Sequence, residues 1–488
     1  MLSGEKTRKN QLLVQICMMG LTFLCLLPVI MKPYVWYDES FTVNLVRKPI
    51  PELLRITALD VHPPLYYLVV KLFVTVLGDH LWVYHLPSLL SYLLLLLLTC
   101  MFFSKYFDAF TSLLVTAAFC SMPNMIKHAL ELRMYSMSML LIVAGMYVSY
   151  YIMSQADDMG RPNRHTLKPW ILLALVNVSA AYTHYFAGVA AVGISLFLLL
   201  FLLLKYGRHT GSRLVCWGIY VGIMVVLYLP WLPTLLSQMS AVDQQYWIGP
   251  LTEAALHECP EILFLIQSDF MRMALKVFFL VGMFLLVSGF SRNRRFFWVA
   301  GCLIVIGFWM MFSILYSLLI SPIFVDRYLV MLLPLVWIPV TVSYRYRPSH
   351  VHTMLFILFA VCFIQTYNEQ YNVYSSSSDI QLVEFGKEHI RPEDAFFHFY
   401  ITDLSVCNVY FPENEHYIYS SSLEPEPALS AMIDCNGIDS YGELPVSRNI
   451  WCLNSDYSKT FLESGFQVEP FKMGTREIYR IYKEENGK

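Results

Sequence analysis

Eleven apolar runs, most of them as long as a bilayer is thick, leave this chain few folds to choose from. The first covers residues 11 to 31, and the rest fall at roughly 83 to 104, 107 to 124, 134 to 154, 169 to 183, 185 to 204, 214 to 233, 273 to 290, 296 to 320, 327 to 343 and 351 to 367. About 20 apolar residues in a helix cross roughly 30 Å of hydrocarbon. In lipid, a helix satisfies its own backbone N–H and C=O groups, which an open sheet edge or a lipid-exposed loop cannot do. The expected fold is therefore an α-helical integral membrane protein of about eleven transmembrane helices. Composition agrees, with 57% hydrophobic and 14% charged residues, against about 25% charged in soluble proteins. No small-x-small cleavage pattern follows the first run, which reads as a retained anchor behind the basic stub Lys6, Arg8 and Lys9.

Cations mark alternate connections: the N-terminal stub, Lys105, Arg161/Arg164/Lys168, Lys205/Arg208/Arg213, Arg292/Arg294/Arg295 and Arg345/Arg347. Lysine and arginine accumulate in cytoplasmic loops, so the N-terminus is expected in the cytoplasm. The loop at 32 to 82, the turn around Lys127 to Arg133, the hinge at Thr183-His184, the loop at 234 to 272, residues 321 to 326 and everything after 367 then face outward. Residues 63 to 79 open with Pro63-Pro64 and contain Lys71, which suits a juxtamembrane helix; counting them as a span would destroy the charge alternation. Pro51 similarly opens a short interfacial helix at 52 to 59. The net charge of −2 offers no basic field for nucleic acid. With 22 glycines in 488 residues, below the usual ~7%, and no internal repeat, a rocking transporter is disfavoured.

After residue 367 the composition returns to soluble levels, which divides the chain into a membrane domain at 1–367 and a small extracytoplasmic α/β domain at 368–488. The serines at 375 to 378 suggest a linker. Residues 379 to 390 read as an amphipathic helix, and 395 to 400, 416 to 419, 449 to 453 and 477 to 482 as strands of a two- or three-layer module. No glycine-rich phosphate loop occurs there. Cys407, Cys435 and Cys452 lie in this outward tail, where a disulfide is chemically feasible, but an odd count cannot pair fully. No CxxC is present, so no structural zinc is expected.

The first outer loop concentrates the chemistry. Trp36-Tyr37-Asp38-Glu39-Ser40 is followed by Asp60-Val61-His62-Pro63-Pro64, three carboxylates and an imidazole beside a membrane, where such groups are costly and functional by default. The plainer readings are that Asp38 caps a helix over 40 to 46 and that Asp60 or His62 caps the helix behind Pro63. The functional reading makes Asp38 and Glu39 catalytic. Asp60 and His62 then contact substrate or bind a divalent metal such as Mg, Mn or Zn. Arg133 and Arg327 stand at the outer ends of spans; either snorkels to head groups or binds phosphate through its planar fork. His184, with Tyr185, occupies a one-residue hinge, as substrate contact or cap. Lys127 reads better as an interfacial lysine, Trp231, Tyr246 and Trp247 as aromatic-belt anchors, and His257 lacks supporting metal-ligand spacing.

Six motifs in order resemble a known family: WYDES at 36 to 40, DVHPPLYYLVVKL with HLPSLL after it, ELRMYS at 131 to 136, YTHYFAG at 182 to 188, YLPWLP at 228 to 233 and SPIFVDRYL at 321 to 329. The pattern is similar to bacterial glycosyltransferase family 39, polyprenyl-phosphate-sugar enzymes of the C-type membrane superfamily related to protein mannosyltransferases and to aminoarabinose transferase. It covers residues 1 to about 345. The resemblance implies transfer of one sugar, with inversion, from a polyprenyl-phosphate donor to an extracytoplasmic glycan, lipid or protein acceptor. Asp38 would be the catalytic base or its organiser and Glu39 its helper. Asp60, His62, Arg133, Tyr135, His184, Tyr185, Arg327 and Tyr328 would bind substrate. One departure is His85, where the family places arginine. The competing classes are a lipid or solute transporter and a polysaccharide polymerase or ligase using lipid-linked glycans.

Overall fold

A computed structural model describes residues 2–32, 34–155, 164–207, 210–242, 248–289, 294–423, 427–445, 447–453, 458–473 and 476–483. Its helices follow in chain order: α1 (Leu2–Ile30), α2 (Tyr37–Arg47), α3 (Ile50–Thr57), α4 (Leu65–Leu77), α5 (Leu81–Tyr106), α6 (Ala109–Ser121), α7 (Pro123–Leu130), α8 (Tyr135–Gln155), α9 (Arg164–Thr183), α10 (Tyr185–Tyr206), α11 (Gly211–Tyr228), α12 (Leu232–Val242), α13 (Glu253–Glu258), α14 (Asp269–Ser288), α15 (Arg294–Leu319), α16 (Leu333–Ser343) and α17 (Ser349–Ser375). Then come α18 (Ser378–His389), α19 (Ile401–Tyr410), α20 (Pro427–Met432) and α21 (Ser458–Glu463), interleaved with β1 (Ala395–His398), β2 (Glu415–Tyr419), β3 (Asn436–Ile438), β4 (Ile450–Cys452), β5 (Gln467–Met473) and β6 (Arg476–Tyr482).

Among the described residues, nine helical stretches are long and apolar enough to cross a membrane. The protein is a multi-pass membrane protein. Two of the eleven expected spans differ. The run at 107 to 124 breaks into α6 and α7, bent by 57°, because Pro123 has no N–H to donate and pushes Met122 into extended backbone at ψ 125°. The run at 169 to 183 is the 20-residue α9, whose Lys168 and Asn177 dilute its apolarity; it packs against α8, α10 and α11. Burial separates the core of the bundle from its rim. In the stretch Tyr135–Gln155, 67% of the apolar window is buried, but in Gly211–Ser240 only 11%, with Val225 and Val226 turned outward.

The chain divides into two compact units, the first comprising Met1–Leu27, His62–Tyr66 and Leu86–Gln370, the second Pro28–Val61, Tyr67–His85 and Tyr371–Lys488. Inside the first, polar side chains tie helices together where the hydrophobic effect cannot, because lipid is as apolar as leucine. Gln15 of α1 donates to Ser112 Oγ and Thr116 Oγ1 of α6, each at 2.9 Å. Asn177 of α9 donates to Tyr220 OH of α11 at 2.6 Å. Gly282 gives α14 its close approach to α16: a Cβ there would lie 2.7 Å from Val340 Cγ1.

The second unit joins α2, α3 and α4 to the tail. Its six strands are ordered β3-β2-β1-β4-β6-β5, parallel from β3 to β4 and antiparallel across β4, β6 and β5. Successive residues of β1 point to opposite faces, so Phe396 packs with Leu382, Phe385 and Cys407 beneath α18 and α19, and Phe397 with Phe399 and Phe461 on the other side. The module has three layers. Two strands, β3 and β5, escape sequence patterning: β3 is only three residues long and β5 carries Pro470 on the sheet edge. The expected serine linker is only a two-residue break, since α17 continues to Ser375 and α18 begins at Ser378. Among the described residues no disulfide joins Cys407, Cys435 or Cys452.

Candidate active site

In the first unit, four separate breaks in helical structure bring polar side chains together. Pro63 holds His62 out of α4. The turn between α7 and α8 carries Glu131 and Arg133, whose N–H bonds Glu131 O at 2.8 Å. His184 interrupts α9 and α10 as the N-cap of α10, and a 3-10 turn at Asp326–Leu332 carries Arg327 and Tyr328. Arg133 Nη2 lies 3.5 Å from His62 Nε2. The His184 ring stands 5.6 Å from His62, 4.9 Å from Tyr328 and 6.1 Å from Tyr135. The charges of Arg133 and Arg327 act on both His184 and Tyr135.

The protonation of His184 follows from geometry. Its Nδ1 accepts the Phe186 N–H at 3.1 Å, so the ring is neutral and its proton sits on Nε2. Among the described residues that Nε2 is buried with no hydrogen-bond partner, and so is Tyr135 OH. Burying an unsatisfied donor costs about 1–3 kcal/mol. Two such groups beside two guanidiniums form a preorganised lining for something that accepts hydrogen bonds and carries negative charge.

Neighbouring groups set that lining in place. Tyr66 OH donates to Ser88 Oγ at 2.7 Å, and Ser88 Oγ in turn donates to Arg133 O at 3.0 Å. Burial alone would push the Glu131 carboxyl up, but His128, Lys127 and Arg133 hold it below its usual range. It therefore stays ionised, bonded to His128 Nδ1. Glu131 and His128 escaped sequence reasoning; their i,i+3 spacing next to Arg133 was the available signal.

In the second unit, Asp38 occupies the first turn of α2 and is half-buried, while Trp36 is the N-cap. The capping role falls to Glu39: fully buried, it reaches back to accept the Trp36 N–H at 3.2 Å. The helix is fastened to α19, with Ser40 Oγ 2.7 Å from Ser405 Oγ, Asn44 Nδ2 donating to Ser405 O at 3.0 Å, and Asn408 Nδ2 donating to Asn44 Oδ1 at 3.0 Å. Asp60 closes α3 through its N–H to Thr57 O at 3.2 Å.

Asp60 belongs to the second unit and His62 to the first. Among the described residues no three His, Cys, Asp or Glu side chains converge to hold a metal ion, and the His62 ring faces the Arg133 guanidinium. Tyr185 is engaged in packing, its hydroxyl donating to Gln238 Oε1 and accepting from Trp231 Nε1. His257 pairs with Glu253 at the surface. His85 is buried, edge-on to Tyr374 at 6.3 Å. Tyr246 and Trp247 lie outside the described residues.

Neither a family model nor a curated protein sequence matches the chain. In three dimensions it superposes on ArnT from Cupriavidus metallidurans in the apo state with a TM-score of 0.64 at 12% identity, covering 96% of this chain and 97% of that one. The two chains share a fold. ArnT bound to undecaprenyl phosphate matches with the same TM-score at 11% identity, over 96% of this chain and 98% of that one. The likeness therefore spans the tail as well as the helices. It extends past residue 345, where the motif resemblance stops.

Proposed function

We propose that this chain is an integral-membrane glycosyltransferase that moves a sugar from a polyprenyl-phosphate carrier to an extracytoplasmic acceptor. The observation that carries this reading is the lining built by Arg133, Arg327, His184 Nε2–H and Tyr135 OH, which suits a phosphate. It is supported by the shared fold with ArnT, a protein whose structure has been determined with undecaprenyl phosphate bound, and by the six motifs in order. In the reaction, an acceptor hydroxyl oxygen attacks the anomeric carbon and the bond from that carbon to the phosphate oxygen breaks. The hydroxyl proton passes to the Asp38 carboxylate. The bonding pair leaves with polyprenyl phosphate, whose added charge the two arginines and the neutral donors stabilise. No proton is needed on that leaving group, so a single base suffices, and no step is routed through a metal.

Asp38→Asn preserves shape and removes the base. In proteoliposomes supplied with polyprenyl-phosphate sugars, it is expected to insert normally and to release polyprenyl phosphate at least about 10²-fold more slowly; undiminished release overturns the assignment. The alternating cations support an orientation with the N-terminus in the cytoplasm and residues 368–488 outside. Protease added to intact cells should then cleave the tail and spare a tag at the N-terminus, and the reverse pattern rejects this orientation.

A further inference from the structure

A lining built to receive negative charge has a negative charge of its own beside it. Glu131, on the turn between α7 and α8, is 7% exposed, and burying an ionised carboxylate is costly unless it is paired. Its partner is His128, whose Nδ1 it bonds at an i,i+3 spacing. His128 is fixed in turn by Ser136, whose Oγ donates to His128 O at 2.7 Å. A neutral glutamine could accept the same imidazole N–H, so packing alone does not call for a charge at this position.

The charge reaches the lining. Glu131 and Arg133 belong to one tight turn, closed by the Arg133 N–H on Glu131 O at 2.8 Å, while among the described residues the ion pair of Glu131 is with His128. Carboxylate and guanidinium attract through space, so Glu131 lowers the positive potential that Arg133 presents. The His128 ring lies edge-on to Tyr135 at 4.9 Å, and Tyr135 stands 6.1 Å from His184, which puts the Glu131–His128 pair one ring away from the two buried donors. Glu131, His128, Arg133 and Tyr135 are all buried, so little water screens these charges. A phosphate bound there is attracted by the guanidiniums and repelled by Glu131. The repulsion matters most after transfer, because the donor's phosphodiester carries about −1 and the spent monoester about −1.5 to −2 near pH 7. Cations alone would hold that product more tightly than the donor.

We infer that Glu131 sets the phosphate affinity of this lining and that its role is to let the spent carrier leave. The inference rests on the lipid-phosphate reading of the lining. It is tested by binding of undecaprenyl phosphate, with undecaprenol as the uncharged probe, to the full chain in nanodiscs of zwitterionic lipid. Glu131→Gln should bind undecaprenyl phosphate at least about tenfold more tightly than the parent, and undecaprenol within about twofold of it. Glu131→Asp, which keeps the charge, should match the parent with both probes. To keep the imidazole's own charge out of the comparison, it is repeated on a His128→Asn background, where an amide N–H takes the place of Nδ1–H; Glu131→Gln should again tighten the phosphate alone. Phosphate binding that Glu131→Gln leaves unchanged or weakens on both backgrounds overturns the inference. So does equal tightening of undecaprenol, which would report a change of shape and not of charge. Binding of undecaprenyl phosphate by none of the proteins overturns the inference together with the lipid-phosphate reading. Tightened phosphate binding in a chain whose parent transfers no sugar would count against the glycosyltransferase reading alone.

Discussion

His184 is where local geometry carries the most chemical information. Capping α10 through Nδ1 fixes its tautomer, so one interaction both starts a helix and leaves a buried N–H under the charges of Arg133 and Arg327. A neutral imidazole donor costs less to bury than a charged one and still strengthens as charge develops on a phosphate. His184→Phe keeps a ring among Phe186 and Tyr328 but deletes the donor. The variant is expected to lose about 10- to 100-fold in kcat/KM for the lipid-linked sugar, as for a hydrogen bond to a charged group worth about 1.5–3 kcal/mol. The loss should appear mainly in kcat; a change confined to KM would mean the group binds ground state and transition state equally well. Glu39, fully buried, accepts the Trp36 N–H and so also holds the start of α2 in place.

Strands β1 and β2 carry a buried imidazole pair that gives the tail a built-in acid limit. His416 Nε2–H donates to Phe411 O at 3.0 Å, so its Nδ1 accepts from His398 Nε2–H at 2.9 Å, and both rings are neutral. Burial pushes His416 down to about 4 and, with the neighbouring imidazole, holds His398 well below its usual value. Folded, neither ring takes up a proton near neutrality; unfolded, each does so near 6.5. Their contribution to stability is therefore intact above pH 6.5 and declines as pH falls, the His416 share being lost by about pH 4. A full loss of that share is on the order of 3 kcal/mol. Hydrogen exchange of the peptides spanning β1 and β2, corrected for intrinsic rates, should show protection falling between pH 6.5 and 4.5; constant protection would contradict the neutral pair.

At the level of the whole molecule, the tail does more than follow the membrane helices. It forms one compact unit with most of the segment after α1, and α19 grips α2 through Ser405 and Asn408. The helix that carries Asp38 therefore depends on residues more than 360 positions away in sequence. Replacing both Asn44 and Ser405 by alanine should cost about 1–3 kcal/mol in the attachment of α2, since each contributes buried hydrogen bonds worth roughly 1 kcal/mol. The readout is faster hydrogen exchange across Tyr37–Arg47 with unchanged exchange in α8; equal protection in the double variant would show that apolar packing alone holds the helix.

The membrane architecture was readable from the chain because the bilayer imposes a one-dimensional rule: length and apolarity decide what spans. The hinge at His184, the juxtamembrane α4 and four of the six tail strands followed from similarly local patterns of proline placement and alternation. The 57° break at Met122 was also encoded, by Pro123, but the apolar run masked it. Other features depended on contacts distant in sequence. No local pattern brings His62, Arg133, His184 and Tyr328 close together, leaves His184 Nε2 and Tyr135 OH buried without partners among the described residues, or has Glu39 accept the Trp36 N–H. Those outcomes depend on which helix breaks meet when the bundle packs, and packing is a property of three-dimensional neighbours that sequence spacing does not specify.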